Sequence, residues 1–196
     1  VEWHVHDGRP VYQSTWVEVW LNDVEVAGGD HLEHHELRFP RASTTAVVVD
    51  DRRRVLLLWR HRFITNTWGW EVPAGWTDAG EEPETAIRRE IEEETGWRAA
   101  TIVPMIGYNA ISGIGDMCFT AFLATDLTRI GEPADKTEAS RVEWHPLADV
   151  PKLAADGQIT DGPSLTALSY YLGMYCPRPP ELPADSALRN CHSTKP

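Results

Sequence analysis

The segment Gly75-Trp76-Thr77-Asp78-Ala79-Gly80-Glu81-Glu82-Pro83-Glu84-Thr85-Ala86-Ile87-Arg88-Arg89-Glu90-Ile91-Glu92-Glu93-Glu94-Thr95-Gly96-Trp97 decides how the rest of the chain reads. Pro83 stands where a first helical turn tolerates a missing N–H, acidic residues crowd the start, and Gly96 follows Thr95 where a helix would stop. A helix is therefore expected over 83–95. At 100° per residue Glu90, Glu93 and Glu94 fall at about 0°, 300° and 40°, inside one arc of about 100°, while Glu92 points roughly the opposite way. Like charges at i,i+3 and i,i+4 each cost roughly a few tenths of a kcal/mol, and more where water is excluded, so the trio must be solvated or neutralised. Glu92 has an ordinary partner in Arg88, one turn earlier on the outer face; the other three do not share it. Gly75 at the start of a loop, Glu81 within it, Arg89 just before Glu90 and Gly96 past the helix set this pattern apart from a merely solvated acidic face. Hard oxygen ligands so clustered suit Mg²⁺ or Mn²⁺, and Mg²⁺ takes its remaining ligands from water and substrate phosphates. The arrangement asks for a diphosphate.

Working outward, the flanks read as sheet. Aromatic and β-branched residues over 14–21, a turn at Ala27-Gly28-Gly29-Asp30 and a returning run over 34–39 make residues 1–40 a hairpin-bearing arm. Strands are expected over 44–50 and 54–59, about the charged turn Asp50-Asp51-Arg52-Arg53, and over 68–72, so that the middle of the chain begins as antiparallel sheet. Past the helix, 100–106, 117–124 and 141–144 are strand-like, separated by long polar loops over 108–116 and 131–140, and 164–175 reads as the last helix. The expected organisation is an arm over 1–40, a catalytic domain over 41–176 and a proline-rich, loosely held tail over 177–196.

Composition bounds the partners. The chain has 196 residues, 42% hydrophobic and 24% charged, with a formal net charge of -12, enough for one globular domain with its own core. That acidic balance argues against duplex DNA or an anionic membrane as a standing partner. The apolar runs, such as Val55-Leu56-Leu57-Leu58-Trp59, fall far short of the roughly 20 residues that span a bilayer, and the acidic, His-containing N-terminus shows no signal peptide. Cys118, Cys176 and Cys191 have neither close pairing nor metal-ligand spacing and read as free thiols of a cytoplasmic protein.

The quoted segment resembles the Nudix box, G-x5-E-x7-R-E-U-x-E-E-x-G-U, at every fixed position, with Trp97 where an aliphatic residue is usual. The resemblance implies an α/β fold, an α/β/α sandwich with a mixed central sheet preceded by the strand-rich arm, and a pyrophosphohydrolase activity. Glu90 and Glu94 would be metal ligands, Glu93 would contribute directly or through water, and the matching carbonyl ligand would be Ala74. Glu81 and Arg89 would fix the loop over the helix, with Gly75 and Gly96 structural in the motif. The cation, Mg²⁺ or Mn²⁺, would neutralise phosphate oxygens and acidify a water, leaving a carboxylate to take the proton. In the ADP-ribose pyrophosphatase branch that base is a glutamate in a loop before a late strand, which points to Glu138, with Glu93 as the fallback.

Other features are similar to that branch. Trp68-Gly69-Trp70-Glu71-Val72-Pro73-Ala74-Gly75 resembles its W-E-L-P-A-G run, and Leu57-Leu58-Trp59-Arg60-His61-Arg62 resembles its L-V-R-Q-Y-R strand, whose last arginine meets substrate; Arg62 matches it. The arm fits a segment that in this branch swaps across a homodimer and helps to build the adenine pocket, with Trp16 and Trp20 at alternate-strand spacing as candidate substrate contacts. The branch's proline is missing from 108–116, so the pocket rim is altered. The favoured substrate is ADP-ribose, giving AMP and ribose 5-phosphate. The alternatives are another nucleotide sugar, a diphosphate of specialised metabolism, or a non-catalytic module that senses a nucleotide sugar, for which an eroded box would be usual. Glu94→Gln is expected to lower turnover by several orders of magnitude and leave the fold intact. His4-Val5-His6 and His31-Leu32-Glu33-His34-His35 lack the helical spacing of a zinc motif and a cysteine partner, and are expected to be surface strand residues.

Overall fold

A computed structural model describes residues 1–134 and 139–176; Glu138, Cys191 and the 177–196 tail lie outside the described residues. In chain order the strands are β1 (His4–Gln13), β2 (Glu18–Glu25), β3 (His31–Arg38), β4 (Ser43–Val48), β5 (Arg54–Arg62), β6 (Thr67–Glu71) and β7 (Ala74–Trp76). Helix α1 (Pro83–Thr95) is followed by β8 (Trp97–Asn109), β9 (Cys118–Arg129), β10 (Arg141–Pro146), α2 (Val150–Ala155) and α3 (Gly162–Tyr175).

β4 organises the domain. It is buried at every position, so each row of its side chains must enter a core of its own. Ala46 and Val48 join Leu56, Phe122 and the α1 residues Ile87 and Ile91; Val47 and Val49 join Leu57, Trp70 and the α3 residues Ala167 and Leu168. Helices therefore cover both faces, which is the expected α/β/α sandwich. The sheet around β4 runs β7-β4-β9-β8 and is mixed, with β4 parallel to β9 and antiparallel to β7. A second sheet, β10-β5-β6, is antiparallel. β4 and β5 flank the charged turn but enter different sheets, meeting only at the Val49–Val55 bridge. An apolar run is compatible with either partner, so antiparallel pairing between these two strands is confined to that bridge, and the antiparallel sheet expected in the middle of the chain is β10-β5-β6.

The arm is an antiparallel β1-β2-β3 sheet. β2 starts at Glu18 rather than at residue 14, because the Ser14 hydroxyl accepts the N–H groups of Trp16 and Val17 at 3.2 and 3.1 Å and closes a turn. Trp16 is thus a turn residue, and the strand spacing read between it and Trp20 does not apply. The arm docks where Leu37 N–H donates to the Ile114 carbonyl at 2.8 Å and Asp116 N–H to the Leu37 carbonyl at 3.1 Å. A Cβ on Gly115 would lie 2.8 Å from the Leu37 carbonyl, so glycine permits that approach. Among the described residues no helix is long and apolar enough to cross a membrane, and Cys118 and Cys176 are free.

Candidate active site

Helix α1 spans the expected residues, with Pro83 in its first turn and Gly96 closing it in the left-handed region at φ 69°. A Cβ on Gly96 would lie 2.3 Å from the Gly131 carbonyl oxygen, so both backbone conformation and packing call for glycine. Ile87 and Ile91 anchor the helix in the core and leave the Glu90–Glu93–Glu94 face turned toward β7 and the loop before the helix. Trp97 fits beside this core, edge-on to Trp144 at 5.5 Å.

Arg89 holds the loop and two of the three carboxylates. Its Nε and Nη2 donate to Glu81 at 3.3 and 3.1 Å, Nη2 also to the Trp76 carbonyl at 3.2 Å, and Nη1 to Glu90 at 2.8 Å and Glu93 at 3.2 Å. Glu81 in addition accepts the Asp78 N–H at 2.9 Å. The Arg89 contact first, and then that N–H, hold the Glu81 carboxyl below its ordinary pKa. Glu92 pairs with Arg98, not with Arg88 as expected, at 2.7 and 3.0 Å. Arg88 instead reaches Glu84 at 3.0 Å and the Ala99 carbonyl at 2.6 Å, because β8 folds back beside the helix.

Glu94 is only 3% exposed. It is bonded to Arg60, itself 3% exposed, and accepts the Ala74 N–H at 3.2 Å. Arg60 also lies 4.0 Å from Glu71, which takes a two-pronged contact from Arg62 at 2.9 and 2.5 Å. Arg62, the arginine singled out in the sequence, is thus half-exposed and tied to Glu71, while Arg60 reaches the helix carboxylate. Arg60 and Glu71 were not singled out, although a charged residue closing the run Leu56-Leu57-Leu58-Trp59 and another between Trp70 and Val72 are the signals that mark them. Glu94→Gln would leave a buried guanidinium without its nearest counter-charge, so the fold would not be untouched.

Trp16 is exposed with the Arg41 guanidinium 5.4 Å from its ring centroid, and Arg41 lies 3.6 Å from Asp78 in the loop before α1. Trp20 sits under the Arg38 guanidinium at 3.9 Å and donates its indole N–H to Glu18 at 2.7 Å. The contacts of the two indoles are thus with Arg41, Arg38 and Glu18. Glu94 does line a cleft with Arg129, Glu132, Ala139, Ser140 and Arg141.

The residues fit a divalent metal. A Cβ on Gly75 would lie 2.1 Å from the Glu90 carboxylate, so glycine lets the β7 backbone pass against that oxygen donor. The donors here, the helix carboxylates and the β7 backbone at Ala74, are hard oxygens. Among the described residues Glu71, Glu81, Glu90, Glu93 and Glu94 pair with Arg60, Arg62 and Arg89, a carboxylate-rich set of hard oxygens that suits a divalent cation.

The model of the NUDIX domain matches residues 39–168. The chain is 36% identical over 170 residues to the CMP-5'-(N-acetyl-N-hydroxy-3-aminopropyl)phosphonate hydrolase of Streptomyces rubellomurinus, covering 86% of this chain and 82% of that one. It is 26% identical over 162 residues to the ADP-ribose pyrophosphatase of Bacillus subtilis, covering 82% and 87% respectively. A crystal structure of an ADP compounds hydrolase superposes with a TM-score of 0.78 at 19% identity, covering 90% of this chain and 97% of that one, and supports the fold alone. The chain belongs to the NUDIX domain family, in its ADP-ribose pyrophosphatase-like branch, and is a hydrolase that acts on phosphoric anhydrides.

Proposed function

We propose that this chain is a Mg²⁺- or Mn²⁺-dependent pyrophosphohydrolase of a nucleoside diphosphate linked to a second moiety. The observation that carries the reading is the carboxylate face of α1 against Gly75, with Glu81 and Arg89 bracing the loop over it. Hydrolases of this family generally use divalent metals. Glu90, Glu94 and the Ala74 carbonyl would hold the cation, with Glu93 directly or through water. A cation there supplies charge neutralisation at the diphosphate and a more acidic water. Glu138 is the proposed base; its chain neighbour Ala139 lines the same cleft as Glu94, and Glu93 is the alternative. Arg129 and Arg141 line that cleft, and Arg62, paired with Glu71 at the end of β5, is the proposed contact for phosphate or ribose.

For the substrate, the likeness to the ADP-ribose pyrophosphatase branch supports ADP-ribose, cleaved to AMP and ribose 5-phosphate. A second reading has a specific observation behind it: the phosphonate hydrolase relative shares more identity over most of the chain. In that reading the second moiety is a phosphonate joined to a nucleoside monophosphate. Both are anhydrides flanked by charged oxygens and need the same cation. Purified protein with Mg²⁺ or Mn²⁺ should be offered ADP-ribose, a CMP-linked phosphonate and a panel of nucleotide sugars, scoring nucleoside monophosphate released. Preference for ADP-ribose supports the first reading and preference for the phosphonate the second; no release from any conjugate overturns both.

The arm would be shared in a homodimer, with Trp16 and Trp20 near the base-binding end. The single chain leaves β1 exposed at nearly every position, including Val5, Val11 and Tyr12. Light scattering on the eluted protein should give twice the 22.1 kDa chain mass; a monomer would remove this part of the proposal.

A further inference from the structure

The histidines of the arm stand on strands, as expected, but three strands bring them to one place. Where β1 pairs with β2, Val5 faces Val24 and Asp7 faces Asp23, which leaves His6 as the extra residue of a bulge. A bulge of this kind re-aims a side chain, and here His6 joins the face that carries Asp23 and Glu25. On the other side β3 sets His31 directly opposite Glu25. His6 Nε2 lies 2.6 Å from Glu25 Oε2, and one ligand atom from each of His6, Glu25 and His31 falls within 4.8 Å of the others. The alternate face holds the buried Val24, so this polar cluster has no part in packing the arm against the domain.

We propose that His6, Glu25 and His31 form a binding site for a borderline divalent cation, with Zn²⁺ the best match. Two imidazoles and a carboxylate are the donor set of a three-ligand zinc centre whose fourth position takes water, whereas the α1 face offers only hard oxygens suited to Mg²⁺. Zinc–ligand bonds of about 2.0–2.2 Å place tetrahedral donors roughly 3.3–3.5 Å apart, so the two exposed imidazoles and the half-buried Glu25 need close by little more than about 1 Å. Asp23 supplies the second layer: its Oδ1 lies 2.9 Å from His31 Nδ1. That hydrogen bond keeps the proton on Nδ1 and the lone pair on Nε2, the arrangement found when a carboxylate backs a metal-bound histidine. A cation here cross-links β1, an edge strand with little apolar cover, to β2 and β3. The site is independent of the hydrolytic reading.

The test uses the full chain stripped with chelator and titrated with zinc chloride by calorimetry in excess magnesium chloride, with melting temperature as a second readout. The wild type should bind zinc at this site and melt at a higher temperature with it. The double variant His6→Ala/His31→Ala should lose that binding and the shift while melting like the wild type in the absence of zinc. Asp23→Asn should weaken binding by about 10- to 100-fold. Glu25→Gln should also weaken it, and Co²⁺ in place of zinc should give a four-coordinate visible spectrum that the double variant lacks. Zinc affinity unchanged in the double variant, or no zinc binding by the wild type, would overturn the assignment.

Discussion

Gly75→Ala separates the site from the scaffold. The added Cβ would sit 2.1 Å from the Glu90 carboxylate carbon and oxygen and 2.6 Å from its Cγ. Ordinary carbon contacts begin at about 3.5 Å, so the head of Glu90 must retreat by about 1.4 Å. Those atoms are the flexible end of a side chain, and overpacking of this sort costs about 1–3 kcal/mol out of a total of roughly 5–15. For a chain of this length that is a fall of about 2–12 °C in melting temperature. A Mg²⁺ ligand, by contrast, must sit within about 2.0–2.1 Å of the ion, and misplacement by about 1 Å costs on the order of 10²-fold in rate. Steady-state hydrolysis at saturating Mg²⁺, beside a thermal melt, should therefore show a folded protein with kcat/KM down by about 10²-fold or more. Adding Glu90→Asp, which shortens the side chain by one methylene, should recover part of the loss relative to the product of the single effects. Wild-type turnover in folded Gly75→Ala protein would refute the placement of Glu90 at the reacting centre.

Glu94→Gln should lower turnover by several orders of magnitude and also destabilise the fold by about 3 kcal/mol, because it removes a buried counter-charge bonded to the buried Arg60; a denaturant melt measures this. Arg89→Lys should lower kcat about 10-fold or more, since an ammonium cannot reproduce the contacts to Glu81, Trp76, Glu90 and Glu93 together; kinetics at several Mg²⁺ concentrations check it. Glu138→Gln should depress turnover with little change in metal affinity, and the same result from Glu93→Gln instead would move the base to the helix. His145 packs on Trp70 at 4.3 Å, and burial pushes its pKa below the ordinary 6.5. Its neutral form is favoured in the fold, so its contribution to stability is present above pH 6.5 and is lost as pH falls through the lowered value. His145→Phe should flatten that part of the melting-temperature profile.

The limits of α1 were legible because Pro83 and Gly96 are local signals whose mechanisms need no tertiary partner. The shared face of Glu90, Glu93 and Glu94 followed from helical pitch alone. Sheet partners were not legible: β4 and β5 are both apolar runs, and nothing in either says that one pairs parallel with β9 while the other pairs with β6 and β10. Trp16 read as strand until the Ser14 hydroxyl bonds closed a turn. The site's second layer depended on the same missing information, since Arg60 reaches Glu94 across 34 positions of sequence. Glu92 finds Arg98 because the chain reverses after Gly96, a contact beyond the helix that helical spacing does not consider. The His6–Glu25–His31 cluster of the arm is the extreme case, three strands and one bulge.

The central claim is that the carboxylates of α1 hold a divalent cation against a diphosphate. Anomalous diffraction from crystals containing Mn²⁺ and a non-cleavable nucleotide conjugate measures it directly. The account predicts Mn²⁺ bound by Glu90 and Glu94 beside Ala74, with the conjugate's phosphates on the ion. Mn²⁺ found elsewhere, with Glu90, Glu93 and Glu94 left to their arginines and solvent, would contradict it.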